Sequence, residues 1–298
     1  MIDGETQLVG LIGWPVAHSL SPVMQNAAFD ALGLNWRYVP LPVPPDRLEA
    51  AVRGLAASGF RGVNVTVPHK QNAVPLIDTM ASDAGRLGAV NTLVFDDRKR
   101  SGKAVISGHN TDHRGFIASL RRGGFDPGGK RAVVVGAGGG GRAVVFGLLE
   151  ADSEEIVVLD SASERAQALV GDLCAQESRR LCTRPLTQEV LLESAHAADL
   201  FVNATPVGMW PHTEDSIWPE ELSFPGDLTA FDLVYNPLET HLLRRAREAG
   251  ARAMDGLGML VAQGALSFEL WTGETAPVKV MRAAGERALQ ERTRRERL

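Results

Sequence analysis

The sequence predicts a two-domain α/β protein whose second domain is Rossmann-like, a doubly wound dinucleotide-binding fold. Three observations predict it. Strand and helix patterns alternate along nearly the whole chain. The segment 133–149, VVVGAGGGGRAVVFGLL, runs three β-branched residues into a glycine cluster and then an apolar helix pattern. A chain of 298 residues holds enough material for two medium-sized cores.

The elements follow in order. QLVGLIG is the first strand, and Ser21–Leu32 the first helix, with Ser21 as a candidate N-cap and Pro22 at the first helical position. WRYVPLPV is a second strand, stopped by Pro44-Pro45. A helix runs from Asp46 to Ala57. GVNVTV is a short buried-type strand ended by Pro68, and a helix is expected over Lys70–Ile77. NTLVFDD and KAVISGHN pair as a hairpin around Lys99–Gly102, and Asp112–Arg122 is helical.

From Lys130 the pattern becomes βαβα: strand 131–135, helix 141–150, strand 155–160, helix 163–174. LFVNAT (200–205) and TAFDLVY (229–235) are later strands, and a helix spans 239–249. Two closing helices, 259–271 and 278–295, have apolar faces that need a partner, for which the first domain is the obvious choice. Alternating elements of this kind imply parallel sheets.

Gly136, Gly138 and Gly141 stand at GxGxxG spacing. The first permits a tight strand-to-helix turn, the second lets backbone approach a pyrophosphate, and the third lets helix and strand pack closely. The helix N-terminus then offers free N–H groups to phosphate. A bare GxGxxG is common, but here a strand precedes it and a helix follows. A second strand then ends in Asp160, 19 residues beyond Gly141, where an acid can bind the adenosine ribose.

Composition narrows the class. Hydrophobic content of 44% and charged content of 22% are ordinary for a globular protein. A net charge of -5 argues against a nucleic-acid binder. Cys174 and Cys182 form no CxxC pair, so neither a disulfide framework nor a zinc motif is expected, and no other metal-ligand spacing stands out. The start, MIDGETQLVGLIG, carries acids where a signal peptide has bases, and no apolar run reaches membrane-spanning length. The expectation is a cytoplasmic protein, without membrane or nucleic-acid partners, as monomer or homodimer.

Eight separated motifs, in order, resemble the shikimate dehydrogenase family, including its quinate/shikimate branches. They are GWPVAHSLSP (13–22), NVTVPHK (64–70), GAVNT (88–92), HNTDHRGF (109–116), GAGGGGRA (136–143), NATPVGM (203–209), DLVYNP (232–237) and DGLGMLVAQG (255–264). The resemblance implies an N-terminal α/β substrate-binding domain, 1–112 plus the returning segment 260–298, and a nicotinamide dinucleotide-binding domain, 113–259. It implies reversible reduction of 3-dehydroshikimate to shikimate.

Ketone reduction needs a hydride donor and a proton donor at the carbonyl oxygen. By resemblance, Lys70 donates the proton and Asp112 orients it and binds a substrate hydroxyl. Read alone, Lys70 is a surface lysine and Asp112 a helix cap. Ser19 and Ser21 match contacts to the substrate carboxylate; Thr66, Asn91, Tyr235 and Gln263 match its other contacts. Plain readings exist here too, with Ser21 capping a helix, Asn91 in a turn and Tyr235 in a core. Gln263 has independent support, because an amide among Leu260, Val261, Ala262 and Leu266 needs a hydrogen-bond partner if buried. His18, His69 and His113 lie inside motifs but lack a metal spacing or nucleophile partner, and read as structural.

On the cofactor side, Gly136, Ala137, Gly138, Gly139 and Gly140 should touch the pyrophosphate, and Leu233 and Gly256 match positions bordering the nicotinamide. NATPVGM, after its strand, is expected to line that pocket. One departure is informative. Where NADP-using relatives typically carry Asn-Arg-Thr, this chain has Asp160-Ser161-Ala162. A carboxylate there accepts a free 2′-hydroxyl and repels a 2′-phosphate, which leans toward NAD over NADP. Arg165, matching a second family arginine, partly compensates. The AHSLSP loop, with serine at both matched positions, is shikimate-like rather than quinate-like. Gln25, where the family commonly has His, has no account from sequence. The competing readings are an NAD-dependent quinate/shikimate or aminoshikimate dehydrogenase and, in a different class, a catalytically silent metabolite sensor.

Overall fold

A computed structural model describes residues 2–96, 104–173 and 180–296. The expected turn around Lys99–Gly102, Cys174 and the extreme C-terminus lie outside them. The chain divides into two compact units, Met1–Thr111 with Val261–Leu298, and Asp112–Leu260.

The first unit contains β1 (Gln7–Gly13), α1 (Ser21–Ala31), β2 (Trp36–Pro42), α2 (Leu48–Ala57), β3 (Gly62–Val65), β4 (Thr79–Met80), α3 (Ser82–Leu87), β5 (Thr92–Asp96) and β6 (Val105–His109). Its sheet order is β2-β1-β3-β5-β6-β4. The strands β2, β1 and β3 are parallel, as alternation predicts. The hairpin β5–β6 inserts antiparallel, so the sheet is mixed rather than wholly parallel. One face buries Ile12, Val63, Val65, Leu93 and Ile106 with the apolar side of α2. On the helical side, Phe268 from the C-terminal segment stacks on Phe29 of α1, with centroids 5.1 Å apart. Each such fully buried ring contributes about 1.5–3 kcal/mol.

The second unit contains α4 (Asp112–Arg122), β7 (Arg131–Val135), α5 (Gly139–Glu150), β8 (Glu155–Asp160), α6 (Ser163–Leu173), β9 (Leu181–Pro185), α7 (Gln188–His196), β10 (Leu200–Asn203), β11 (Thr229–Asp232), α8 (His241–Glu248) and β12 (Ala253–Met254). The sheet is parallel throughout, in the order β12-β11-β10-β7-β8-β9. Counted within the unit this is the Rossmann order, with its topological switch between β7 and β10. Both faces are covered, which is why RAVVV and EIVVLD read as near-continuous apolar runs. Val134 and Val158 face one core; Val133, Val135 and Leu159 face the other.

The last helices are α9 (Gly256–Thr272) and α10 (Val278–Glu296). Among the described residues, no helix is long and apolar enough to cross a membrane.

Four local expectations are corrected. Residues 70–77 form turns with a 3-10 turn at Val74–Leu76 instead of a helix. Pro75 removes a donor there, and the Lys70 carbonyl accepts from Val90 N at 2.9 Å instead of from a following turn. Ser21 is the first residue of α1, preceded by Leu20 at the cap, and no side chain caps that helix. β11 stops at Asp232, three residues early, because the chain turns there into side-chain hydrogen bonds. Helix α9 begins at Gly256, three residues before the apolar periodicity starts.

Candidate active site

In the first unit, predicted site residues gather at the C-terminal ends of β1 and β3. The loop 14–20 joins β1 to α1. It is fixed by Trp14 N donating to the Val67 carbonyl and Ser19 N to the Val16 carbonyl. Ser21 N donates to Ser19 Oγ at 3.2 Å, so the two serines share one turn. Ser21 is buried, and its side chain does not cap α1. Burial pushes the Tyr38 phenol well above its ordinary pKa, opposed by Ser21, and keeps it a neutral donor.

Tyr38 Oη donates to Asn64 Oδ1 at 2.9 Å, and Asn64 Nδ2 donates to Ser267 Oγ at 2.9 Å and to Thr92 Oγ1 at 3.1 Å. One step further, Asn91 Oδ1 accepts from Thr111 N at 2.8 Å. Asn91 Nδ2 donates to Thr111 Oγ1 at 2.9 Å and Gln263 Oε1 at 3.3 Å. The result is a buried cluster of neutral amides and hydroxyls drawn from β2, β3, β5, α9 and the residues before α4. Gln263 and Asn91 are thus brought together. Asn64, Thr111 and Ser267 belong with them but were missed. The signal was present in Asn64, the lone amide inside the apolar run GVNV.

Thr66 and Lys70 occupy the segment after β3. Thr66 N donates to the Ile12 carbonyl, and His69 N to the Thr66 carbonyl at 2.8 Å. His69 is fully buried, with Nε2 2.7 Å from the Val43 carbonyl. That bond makes Nε2 the protonated nitrogen, so His69 serves as a structural pin beside Lys70. Gln25, also fully buried, donates from Nε2 to the Gly264 carbonyl at 2.9 Å and fastens α1 to α9 next to Gln263.

The second unit carries the other predicted residues. Asp112 is buried at the first turn of α4, where the helix dipole favours an anion. His113 is buried edge-on to Phe146, at 5.1 Å. Tyr235 is half-buried, just after β11.

The glycine loop stands at the switch point. Gly136 has φ +109°, and a Cβ there would lie 2.8 Å from the Ala204 carbonyl, so backbone geometry demands glycine. Around Gly138 and Gly139 a Cβ would meet nothing within 4 Å, which leaves the loop open to a group approaching the backbone. Helix α5 begins there without a side-chain cap. Uncapped N–H groups, an open cradle and the switch point together fit a dinucleotide pyrophosphate.

Asp160, 5% exposed, is engaged by the protein itself. Oδ2 accepts from Ala137 N at 2.7 Å, and Oδ1 from Ala162 N and Arg165 Nη2, both at 2.8 Å. Burial alone would raise its pKa; the donors of Ala137, Ala162 and Arg165 outweigh that and hold it below the ordinary carboxylate value. Leu233 lies against Gly140, where an added Cβ would come within 3.0 Å of its Cδ2. Gly256 N donates to the Val234 carbonyl at 3.2 Å, and a Cβ on Gly256 would collide with the Leu233 carbonyl. Gly140, Leu233 and Gly256 therefore meet. Among the described residues, no group of His, Cys, Asp and Glu is arranged to hold a metal ion.

Residues 11–93 match the shikimate dehydrogenase substrate binding domain, and residues 256–284 the shikimate 5'-dehydrogenase C-terminal domain. A shikimate dehydrogenase (NADP(+)) of Methanopyrus kandleri is 48% identical, over 95% of this chain and 96% of its own. Shikimate 5-dehydrogenase from Listeria monocytogenes, solved with shikimate and NAD, superposes with a TM-score of 0.87 at 35% identity, covering 95% of this chain and 97% of that one. A quinate dehydrogenase from Corynebacterium glutamicum, solved with NAD, gives 0.85 at 33% identity over 94% and 98%. With near-complete coverage at this identity, two α/β units and a Rossmann-ordered second sheet, the chain belongs to the shikimate dehydrogenase family, oxidoreductases that act on a CH–OH group.

Proposed function

We propose that this chain catalyses the reversible, nicotinamide-dependent reduction of 3-dehydroshikimate to shikimate. The observation that carries the reading is the buried neutral cluster of Asn64, Asn91, Thr111 and Gln263. Amides and hydroxyls of this kind suit a polyhydroxylated ring, because each can both donate and accept. Ser19 and Ser21, on one turn, bind the substrate carboxylate through hydroxyls. Thr66, Asn91, Tyr235 and Gln263 hold the ring hydroxyls.

Lys70 is the general acid during reduction and the base during oxidation, moving the proton at the C3 oxygen. Asp112 orients Lys70 and accepts from a substrate hydroxyl. The bound nicotinamide supplies or takes the hydride at carbon. Residues 1–112 with 260–298 act as the substrate-binding domain and 113–259 as the cofactor domain. In the latter, Gly136 to Gly140 receive the pyrophosphate and Leu233 and Gly256 border the nicotinamide.

For the cofactor, NAD is the first reading. Asp160 has three donors for about four acceptor sites, which leaves Oδ2 able to take a ribose hydroxyl. Arg165 is neutralised by Asp160, which lowers its worth to a 2′-phosphate. NADP is the second reading, favoured by the 60% exposed Arg165 side chain and by the NADP(+)-named relatives. The second substrate reading, quinate/shikimate oxidation with NAD, rests on the same Asp160. A substrate panel of shikimate and quinate, each with NAD and NADP, tests these readings. Oxidation of shikimate well above quinate supports the first; quinate turnover with NAD at comparable rate replaces it with the second.

A further inference from the structure

The geometry points to Asp232 as a positioning residue that acts through Asn203 to hold the 204–209 loop in the shape that receives the nicotinamide end of the cofactor. This rests on the reading above that this loop and Leu233 border the nicotinamide.

Asp232 is the last residue of β11, and Asn203 is the last residue of β10 directly opposite in register. Both are at most 1% exposed. Asp232 Oδ1 accepts from Asn203 Nδ2 and Val234 N, both at 3.0 Å, and Oδ2 from Thr240 Oγ1 at 2.7 Å. These three donors are neutral, so the charge is not there to form an ion pair.

The carboxylate instead fixes the orientation of the Asn203 amide. With Nδ2 turned to Asp232, Oδ1 must face the loop, where it accepts from Thr205 N at 3.1 Å and Thr205 Oγ1 at 2.6 Å. The same Nδ2 reaches the Val207 carbonyl at 3.1 Å, and Val207 N donates to Thr205 Oγ1 at 3.2 Å. Every bond between the Asn203 side chain and residues 205–207 therefore depends on which way that amide points. An amide has one donor end and one acceptor end, so a group that only accepts, such as a carboxylate, sets its direction. A hydrophobic residue at 232 would fill the space but leave Asn203 free to flip.

The loop so fixed is next to the cofactor cradle. A Cβ on Gly136 would approach the Ala204 carbonyl at 2.8 Å and Thr205 Cγ2 at 3.0 Å. Leu233, following Asp232, donates from N to the Asn203 carbonyl at 2.9 Å and lies against Gly140. One buried carboxylate thus ties the loop at the end of β10 to the wall formed by Leu233.

The test uses the full chain in four forms: wild type, D232N, N203A and R245A. Arg245 holds the 219–222 segment of the same unit through two carbonyls and is a control for lost stability alone. Amide hydrogen exchange over 204–209 is read without cofactor, and NAD+ and NADP+ affinity by calorimetry. N203A is expected to exchange faster in the loop and to weaken the better cofactor about tenfold, the scale of one buried hydrogen bond. D232N replaces a group that only accepts with an amide that also donates, so it no longer fixes the direction of Asn203, and it is expected to speed loop exchange and weaken the same cofactor severalfold; wild-type loop exchange in D232N removes Asp232 from the relay and overturns the proposal. R245A lowers Tm without altering loop exchange or affinity. Unchanged loop exchange in N203A overturns the relay. Faster exchange with unchanged affinity also overturns the proposal, and locates the failure in the reading of the loop as cofactor-lining. An equal affinity loss in R245A reduces the effect to general stability and overturns it as well.

Discussion

Asp160 Oδ1 and Arg165 Nη2 lie 2.8 Å apart, and the same carboxylate reaches back through Oδ2 to the N–H of Ala137 in the glycine loop. The acid that ends β8 is therefore both a brace for the loop and the counter-ion of the cation beside it. If its remaining acceptor site receives the ribose, its charge opposes a 2′-phosphate. D160N combined with S161R is expected to raise the NADP:NAD ratio of kcat/KM by about tenfold or more, since one removed repulsion and one added cation are together worth over ~1.4 kcal/mol. Initial rates with both cofactors measure it. An unchanged ratio means that Asp160 does not face the ribose.

Burial raises the Asp232 carboxyl to about 6, with Thr240, Val234 and Asn203 opposing the shift only in part. The folded protein then holds this proton more tightly than the unfolded chain. The stabilising contribution is complete below the unfolded value near 3.8 and is lost as pH rises through about 6. Lowering pH from about 7 to 5 should therefore stabilise wild type relative to D232N, by at most about 1.4 kcal/mol per pH unit. Thermal melts of the two proteins across this range read the difference. A gap that narrows on acidification would contradict the raised value.

Asn64 joins Tyr38, Ser267 and Thr92 in the first unit. N64L removes the amide and takes a bond from four buried polar groups, the Asn91 carbonyl included. The expected cost is about 2–4 kcal/mol, from penalties of ~1–3 kcal/mol per orphaned group with partial repair among the hydroxyls. Denaturant unfolding measures it. A loss under about 0.5 kcal/mol would mean that the cluster is hydrated and adaptable, and ill-suited to hold a ring in one pose.

Gly256 allows the start of α9 to press on the Leu233 backbone. G256A must push α9 or Leu233 away, and backbone has little room to yield. Cofactor affinity is expected to fall about tenfold, the size of a 1–2 kcal/mol overpacking strain. Wild-type affinity in this variant would remove Gly256 and Leu233 from the cofactor wall.

The second unit was the more legible in sequence. Its strands are buried on both faces, so they appear as apolar runs such as RAVVV, and Gly136 is required by a φ that few other residues adopt. The short elements β9 and α7 went unseen, because β9 is half exposed and α7 has only nine residues. In the first unit, the 70–77 segment reads as helical until Pro75 and the Lys70 carbonyl's bond to Val90 are considered together, and that bond is non-local. The site followed the same rule. Gln263 could be singled out from sequence because an amide in an apolar helix stretch needs a buried partner, and the structure gives it Asn91. Thr111 and Ser267 meet Asn91 and Asn64 across 20 and 203 residues, and Asn203 meets Asp232 across 29, separations that local patterning does not register.

The general-acid assignment of Lys70 is the central claim, and one comparison tests it most directly: initial rates of shikimate oxidation by wild type and K70A, with cofactor affinity measured alongside. The account predicts that wild type turns shikimate over and that K70A is slower by about two to four orders of magnitude, the usual weight of a general acid or base, with cofactor affinity unchanged. Turnover by K70A near the wild-type rate, or no oxidation of shikimate by wild type with either cofactor, would contradict it.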